Sequence, residues 1–172
     1  MRRAESQGSD RVGQGSPIPL YTPDQRRRRD ATCWTLVQGV LAPLQFLIFL
    51  VSLVLVLRYL ATGEGALAAT VSIVVKTMAL YAIMVTGSIW EKVVFGKWLF
   101  AGPFFWEDVF SMVVIALHTA YLAALVAGIG TERERMLLAL AAYATYAINA
   151  GQFLLKLRAA RREGAPALAV AG

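Results

Sequence analysis

Two adjacent acids, Glu107 and Asp108, open the stretch FFWEDVFSMVVIALHTAYLAALVAGIG (residues 104–130), which is otherwise apolar and carries the single histidine of the chain, His118. A carboxylate or imidazole held in hydrocarbon is costly unless it faces a partner, a cavity or a ligand, so all three are candidates for chemistry. The acids suit proton transfer, and the imidazole suits proton transfer or metal ligation. A third acid, Glu91, stands in WEKVVFGKW at the end of the preceding apolar run, and Lys76 lies inside that run.

The elements that must position these residues follow from composition. A chain of 172 residues with 58% hydrophobic and 16% charged residues is too apolar for an ordinary soluble domain. Four segments, 34–62, 66–90, 106–130 and 136–156, reach or approach the roughly 20 residues that cross the hydrocarbon as helix. Continuous runs of this length do not fit the short alternating strands of a membrane barrel. The expected fold is therefore all-α, a bundle of four transmembrane helices. One cysteine, Cys33, excludes an internal disulfide and any cysteine-based metal cluster. The first apolar run follows about thirty polar residues and is longer than the core of a cleaved signal, so it reads as a retained span.

The net charge of +6 is topogenic rather than a nucleic-acid signature. Arg2, Arg3, Arg11, Arg26, Arg27, Arg28, Arg29, Lys92, Lys97, Lys156, Arg158, Arg161 and Arg162 flank one side of the spans, against Arg58, Arg133 and Arg135 on the other. That asymmetry places both termini in the cytoplasm. Residues 1–22, rich in Ser, Gly, Gln and Pro, read as a disordered tail, residues 23–162 as the membrane domain, and residues 163–172 as a second flexible end. The run QRRRRD orients the first helix and touches anionic lipid headgroups. Pro43 within the long first span implies either a kink or a separate interfacial turn before it. Segment 92–105 is too apolar for a free loop and too broken by Gly and Pro to cross, so it should lie in the interface. Small residues in the last span, Ala139, Ala142, Ala150 and Gly151, allow close helix packing.

Counting about 1.5 Å per residue from each span end sorts the polar groups by depth. Gln45, Lys76, His118, Tyr146 and Asn149 fall near the midplane; Gln38, Glu91, Glu107, Asp108 and Gln152 fall towards the cytoplasmic leaflet. Helical spacing arranges them in stripes: Gln38, Gln45 and Ser52; Glu107, Ser111 and His118; Thr145, Asn149, Gln152 and Lys156. Plainer roles compete for each. Glu107 and Asp108 could simply cap a helix N-terminus, Glu91 and Lys92 could form an interfacial ion pair, and the amides could be interhelical hydrogen bonds. Lys76 could snorkel or pair with an anion, and Trp34, Trp90, Trp98 and Trp106 suit interface anchoring.

No nucleophilic triad, phosphate loop, dinucleotide fingerprint or multi-histidine metal site is present in the sequence. A bound metal would have to bring its own ligands, as a tetrapyrrole does. A flat, apolar, partly anionic macrocycle suits a bundle with one histidine, one buried lysine and several aromatic residues.

The blocks YTPDQRRRRDATCWTLVQGVLAPLQFLIFLVSLVLVLRYLATGEG, KTMALYAIMVTGSIWEKVVFGKWLF, FFWEDVFSMVVIALHTAYLA and LALAAYATYAINAGQFLLKLRAAR resemble the vinyl bacteriochlorophyllide hydratase family of bacteriochlorophyll biosynthesis. The resemblance covers about residues 20–162 and runs through charged and aromatic blocks as well as apolar spans; the long N-terminal tail looks additional. It implies hydration of the ring-A vinyl group of a chlorophyllide or bacteriochlorophyllide to a 1-hydroxyethyl group, no redox cofactor, and a place in the cytoplasmic or intracytoplasmic membrane of a phototrophic bacterium, where other pigment-biosynthesis enzymes could associate with it. It carries over no catalytic residues.

Chemistry must supply those. Hydration needs a proton on the terminal vinyl carbon and water on the carbon beside the ring, where conjugation stabilises the cation. A half-buried carboxylic acid suits the first task, because desolvation favours its neutral form. Glu107 is the leading candidate, with Glu91 holding the water or sharing the proton and Asp108 in reserve. His118 could ligate the substrate's magnesium or act as the acid; about 16 Å along the helix separates it from Glu107, which suits a large macrocycle. Lys76 could meet the ring propionate, with Gln45, Tyr146, Asn149 and Gln152 lining the pigment. The alternatives are a non-catalytic tetrapyrrole carrier or photosystem assembly factor and, less well supported, a small ion conductor.

Overall fold

The structure, a computed structural model, describes residues 20–164. The tail expected over 1–22 falls, up to residue 19, outside the described residues, as do 165–172 of the second tail. The described residues form five helices, α1 (Pro23–Ala31), α2 (Cys33–Thr62), α3 (Ala66–Phe95), α4 (Phe105–Val126) and α5 (Glu132–Gly164), with a single 3-10 turn at Gly102–Phe104. Four of them are long and apolar enough to cross a membrane. Between 17% and 28% of each apolar window is buried inside the bundle, so most of the apolar surface faces outward, as lipid requires.

Local chemistry sets the helix ends. Thr22 and Gln25 form a capping box, each side chain accepting from the other's backbone N–H, with Pro23 at the first helical position. Thr32 breaks the chain into extended geometry, and its hydroxyl accepts from the Trp34 N–H at the start of α2. A separate basic helix therefore precedes the first span, and α2 continues through Pro43. At the other end of α3, Gly96 takes φ +80° and returns its N–H to the Lys92 carbonyl, so α3 runs one turn into the segment expected to be interfacial from residue 92. A second capping box, Thr131 with Glu134, starts α5 four residues before the expected span.

The helices pack as two antiparallel hairpins, α2 on α3 and α4 on α5. Val56, Ala69, Ile73, Val114, Tyr121, Met136, Ala139 and Tyr143 meet in the core joining them. Ser52 ties three helices together, lying 2.7 Å from the Ser72 hydroxyl and 2.5 Å from that of Tyr143. Ala139 and Ala142 are buried where helices meet, whereas a side chain at Gly151 would touch nothing within 4 Å, so close packing does not require that glycine. The topology brings the end of α3, the start of α4, and Lys156 of α5 to one end of the bundle, together with basic α1.

Candidate functional site

At this basic end, Glu91 projects from the last turns of α3, and Glu107 and Asp108 from the first turn of α4. All three are buried. Consecutive residues on a helix point about 100° apart, so the two neighbouring acids of α4 cannot serve the same partner. Asp108 turns towards α3, where its carboxyl lies within hydrogen-bonding reach of that of Glu91. Glu107 turns towards α5, and its Oε2 lies 2.6 Å from the Lys156 Nζ.

Segment 96–101 folds back over the Glu91–Asp108 pair. The Phe100 N–H donates to Asp108 Oδ2 at 2.7 Å and the Ala101 N–H to Glu91 Oε2 at 3.2 Å. Two successive amides thus hold one carboxyl each. Phe100, between these contacts, adopts φ +57°, the only positive φ at a non-glycine among the described residues. An aromatic side chain in this left-handed region is strained, and such strain concentrates at functional sites. Lys156 also donates to the Pro103 carbonyl and lies 4.9 Å from the Phe104 ring centroid, so one ammonium fixes the 3-10 turn as well as Glu107.

An aromatic cluster forms at the same end of the bundle. Phe104 packs edge-on against Trp90 at 5.7 Å and against Phe95 at 5.8 Å, and it stacks on Phe153. Tyr21 stacks on Phe95, and burial pushes its phenol above the usual tyrosine range. Trp90 donates to the Thr35 hydroxyl at 2.9 Å, which ties the cluster to α2. Trp98, Phe100, Phe105 and Trp106 instead turn outward; Trp98 is 59% and Trp106 66% exposed, forming an aromatic surface next to the buried acids.

The other candidates form a separate group at mid-height. Lys76 and His118 are fully buried, and Lys76 Nζ lies 3.6 Å from the centre of the Tyr146 ring. His118 Nδ1 lies 2.8 Å from the Val114 carbonyl, so the proton sits on Nδ1 and leaves Nε2 as the acceptor; Tyr143 packs beside the ring. Asn149 donates to the Ser111 hydroxyl at 2.8 Å. Gln45 packs one turn from Phe49, which touches Tyr146, and Gln152 lies one turn from Lys156. Gln38 donates to Thr86 as an interhelical bond.

The structure therefore joins Glu91 to Asp108 and keeps Glu107, His118 and Lys76 apart from that pair. Three participants are not evident from sequence reading. Lys156 counts there as a topogenic charge and as the end of the stripe Thr145, Asn149 and Gln152, not as the partner of an acid. The amides of Phe100 and Ala101 are backbone groups and leave no residue-type signal.

A family model described as 2-vinyl bacteriochlorophyllide hydratase matches residues 21–159. The 2-vinyl bacteriochlorophyllide hydratase of Rhodobacter capsulatus is 69% identical over 146 residues, covering 85% of each chain. That of Cereibacter sphaeroides is 72% identical over 142 residues, covering 83% of this chain and 88% of the relative. No solved structure matches. A family match over residues 21–159 and relatives this similar over more than four fifths of the sequence show that the chain belongs to the 2-vinyl bacteriochlorophyllide hydratase family.

Proposed function

We propose that this hydratase adds water across the ring-A vinyl group of a chlorophyllide or bacteriochlorophyllide, with the Glu91–Asp108 pair as its acid and base. The observation that carries the assignment is the meeting of two buried carboxyls from different helices beneath a strained segment that supplies one amide to each. Two carboxyls this close avoid double ionisation by keeping one proton between them, which is the proton the reaction needs. That proton passes to the terminal vinyl carbon, whose π electrons form the new C–H bond. The carbon beside the macrocycle becomes cationic and is stabilised by conjugation with the ring. Water then forms a C–O bond there and loses a proton to the waiting carboxylate, which restores the pair. No electron is gained or lost overall, so no redox cofactor enters the balance.

Glu107 has a different part in this scheme. Paired with Lys156 at 2.6 Å, it clamps α4 to α5. The flat macrocycle rests on the outward rings of Trp98, Phe100, Phe105 and Trp106, which flank the carboxyls in sequence. A pigment so placed does not bring its magnesium to His118, which lies ten residues, about 15 Å, further along α4 and inside the bundle. The basic end then faces the cytoplasm, with both termini, in a membrane of a phototrophic cell.

The test uses membranes containing the full chain, a vinyl chlorophyllide and H2(18)O. The wild type should yield product heavier by one labelled water, with an absorption blue shift from lost vinyl conjugation. Glu91→Gln and Asp108→Asn should each lower turnover by about 100-fold or more at matched protein level. Near-normal turnover in either would remove that carboxyl from the chemistry. Pigment binding with no mass change in the wild type would favour a carrier.

A further inference from the structure

Gln45 Nε2, Lys76 Nζ, His118 Nε2, Asn149 Oδ1 and Gln152 Oε1 all lie buried without a hydrogen-bond partner among the described residues. An isolated orphan of this kind is uncommon, and several in one region indicate a shared occupant. They do share a region. Lys76 lies on the face of Tyr146, and His118 packs beside Tyr143, one turn from Tyr146 on α5. Asn149, one turn from Tyr146, reaches Ser111, which is one turn from Glu107 and two from His118. Gln152 is the next step on α5 towards Lys156, and Lys156 holds Glu107 beside Asp108. The seam thus runs from the middle of the bundle to the Glu107–Lys156 pair, one residue along α4 from Asp108.

Its chemistry specifies the occupant. Lys76 and Gln45 offer donors, while Asn149 and Gln152 offer carbonyl oxygens and His118 an sp² nitrogen lone pair. A carboxylate would meet those oxygens unfavourably, and an apolar group would leave every orphan unsatisfied. Water both donates and accepts, and two to four polar partners suffice to hold it. We propose that these side chains hold a file of buried water that leads to the Glu91–Asp108 pair and supplies the molecule added to the vinyl group. The use of this water rests on the hydration reading; its presence does not.

Hydroxyl-radical footprinting by X-ray radiolysis, on the full chain in lipid nanodiscs, separates the two. Radicals formed from bound water oxidise the side chains beside it, so buried Tyr146 and His118 should be oxidised at rates within about tenfold of exposed Trp106. Oxidation of Trp106 with Tyr146 and His118 untouched would mean a dry seam and overturn the proposal. Asn149→Leu should suppress that labelling and lower kcat by tenfold or more with the pigment KM unchanged. Asn149 also bonds Ser111, so Gln45→Leu, whose amide nitrogen bonds no described residue, provides an independent second variant. Loss of labelling with full kcat in both variants would overturn the supply role. Glu91→Gln should keep the labelling while losing turnover, so failure of the acid assignment and failure of the water file give different results.

Discussion

Which acid meets which partner is decided by about 100° of helix rotation. Glu107 and Asp108 are neighbours in sequence, yet one faces an ammonium and the other a second carboxyl. The Glu107–Lys156 pair is partly shielded, with the lysine side chain 24% and the glutamate 8% exposed, so breaking it should cost somewhat less than a fully buried pair, roughly 2 kcal/mol. Lys156→Met is expected to lower the midpoint of thermal unfolding in detergent by several degrees, and adding Glu107→Gln should recover much of that loss by removing the stranded charge. A double variant no more stable than Lys156→Met would show that the pairing is not what the lysine contributes. This division of labour could not be read from sequence. Helical spacing sets Glu107 on a stripe with Ser111 and His118 and ranks it above Asp108, but it does not say which neighbouring helix each acid faces. Lys156 was legible as a basic residue at a membrane edge, not as the partner of an acid.

Among the elements, segment 96–101 does most to shape the site. Its apolar and glycine-broken sequence marks it as neither loop nor span, which agrees with a chain folded back on the bundle end. Its decisive feature is a backbone conformation, and an aromatic residue at φ +57° has no signature in residue type. Two substitutions separate the amide of Phe100 from its ring. Phe100→Gly keeps the N–H and relieves the strain, so kcat should stay within about threefold of wild type while the pigment KM rises with loss of the ring. Phe100→Pro removes the N–H and fixes φ near −65°, so Asp108 loses its donor and kcat should fall by tenfold or more. Equal effects of the two on steady-state kinetics would mean that the amide has no role. The long helices, by contrast, were largely legible, because runs of apolar residues of membrane length admit few alternatives. Apart from the C-terminus of α5, which runs eight residues past the expected span, their ends shifted by about one turn, at α3 and the start of α5 where Gly96 and a capping box took over from hydropathy.

Over the whole molecule, two hairpins place every acid of the candidate site at the end that also gathers α1 and Lys156, and the unpartnered polar atoms deeper inside. In the proposed orientation that end faces the cytoplasm. Cys33 is exposed there at the start of α2 and provides a native probe. A membrane-impermeant maleimide should label it in inside-out vesicles and not in intact spheroplasts; the reverse pattern would invert the bundle. The overall reading joins a pigment lying on outward aromatic rings, a proton held between two carboxyls, and water arriving from within.

The shared proton is the centre of that scheme, and hydration rates of Glu91→Gln, Asp108→Asn and the double variant in identical membranes test it most directly. Residues that act as one unit are not additive, so each single variant should lose about as much turnover as the double, with the pigment still bound. Losses that multiply would show two independent carboxyls, and substantial turnover in the double variant would contradict the assignment.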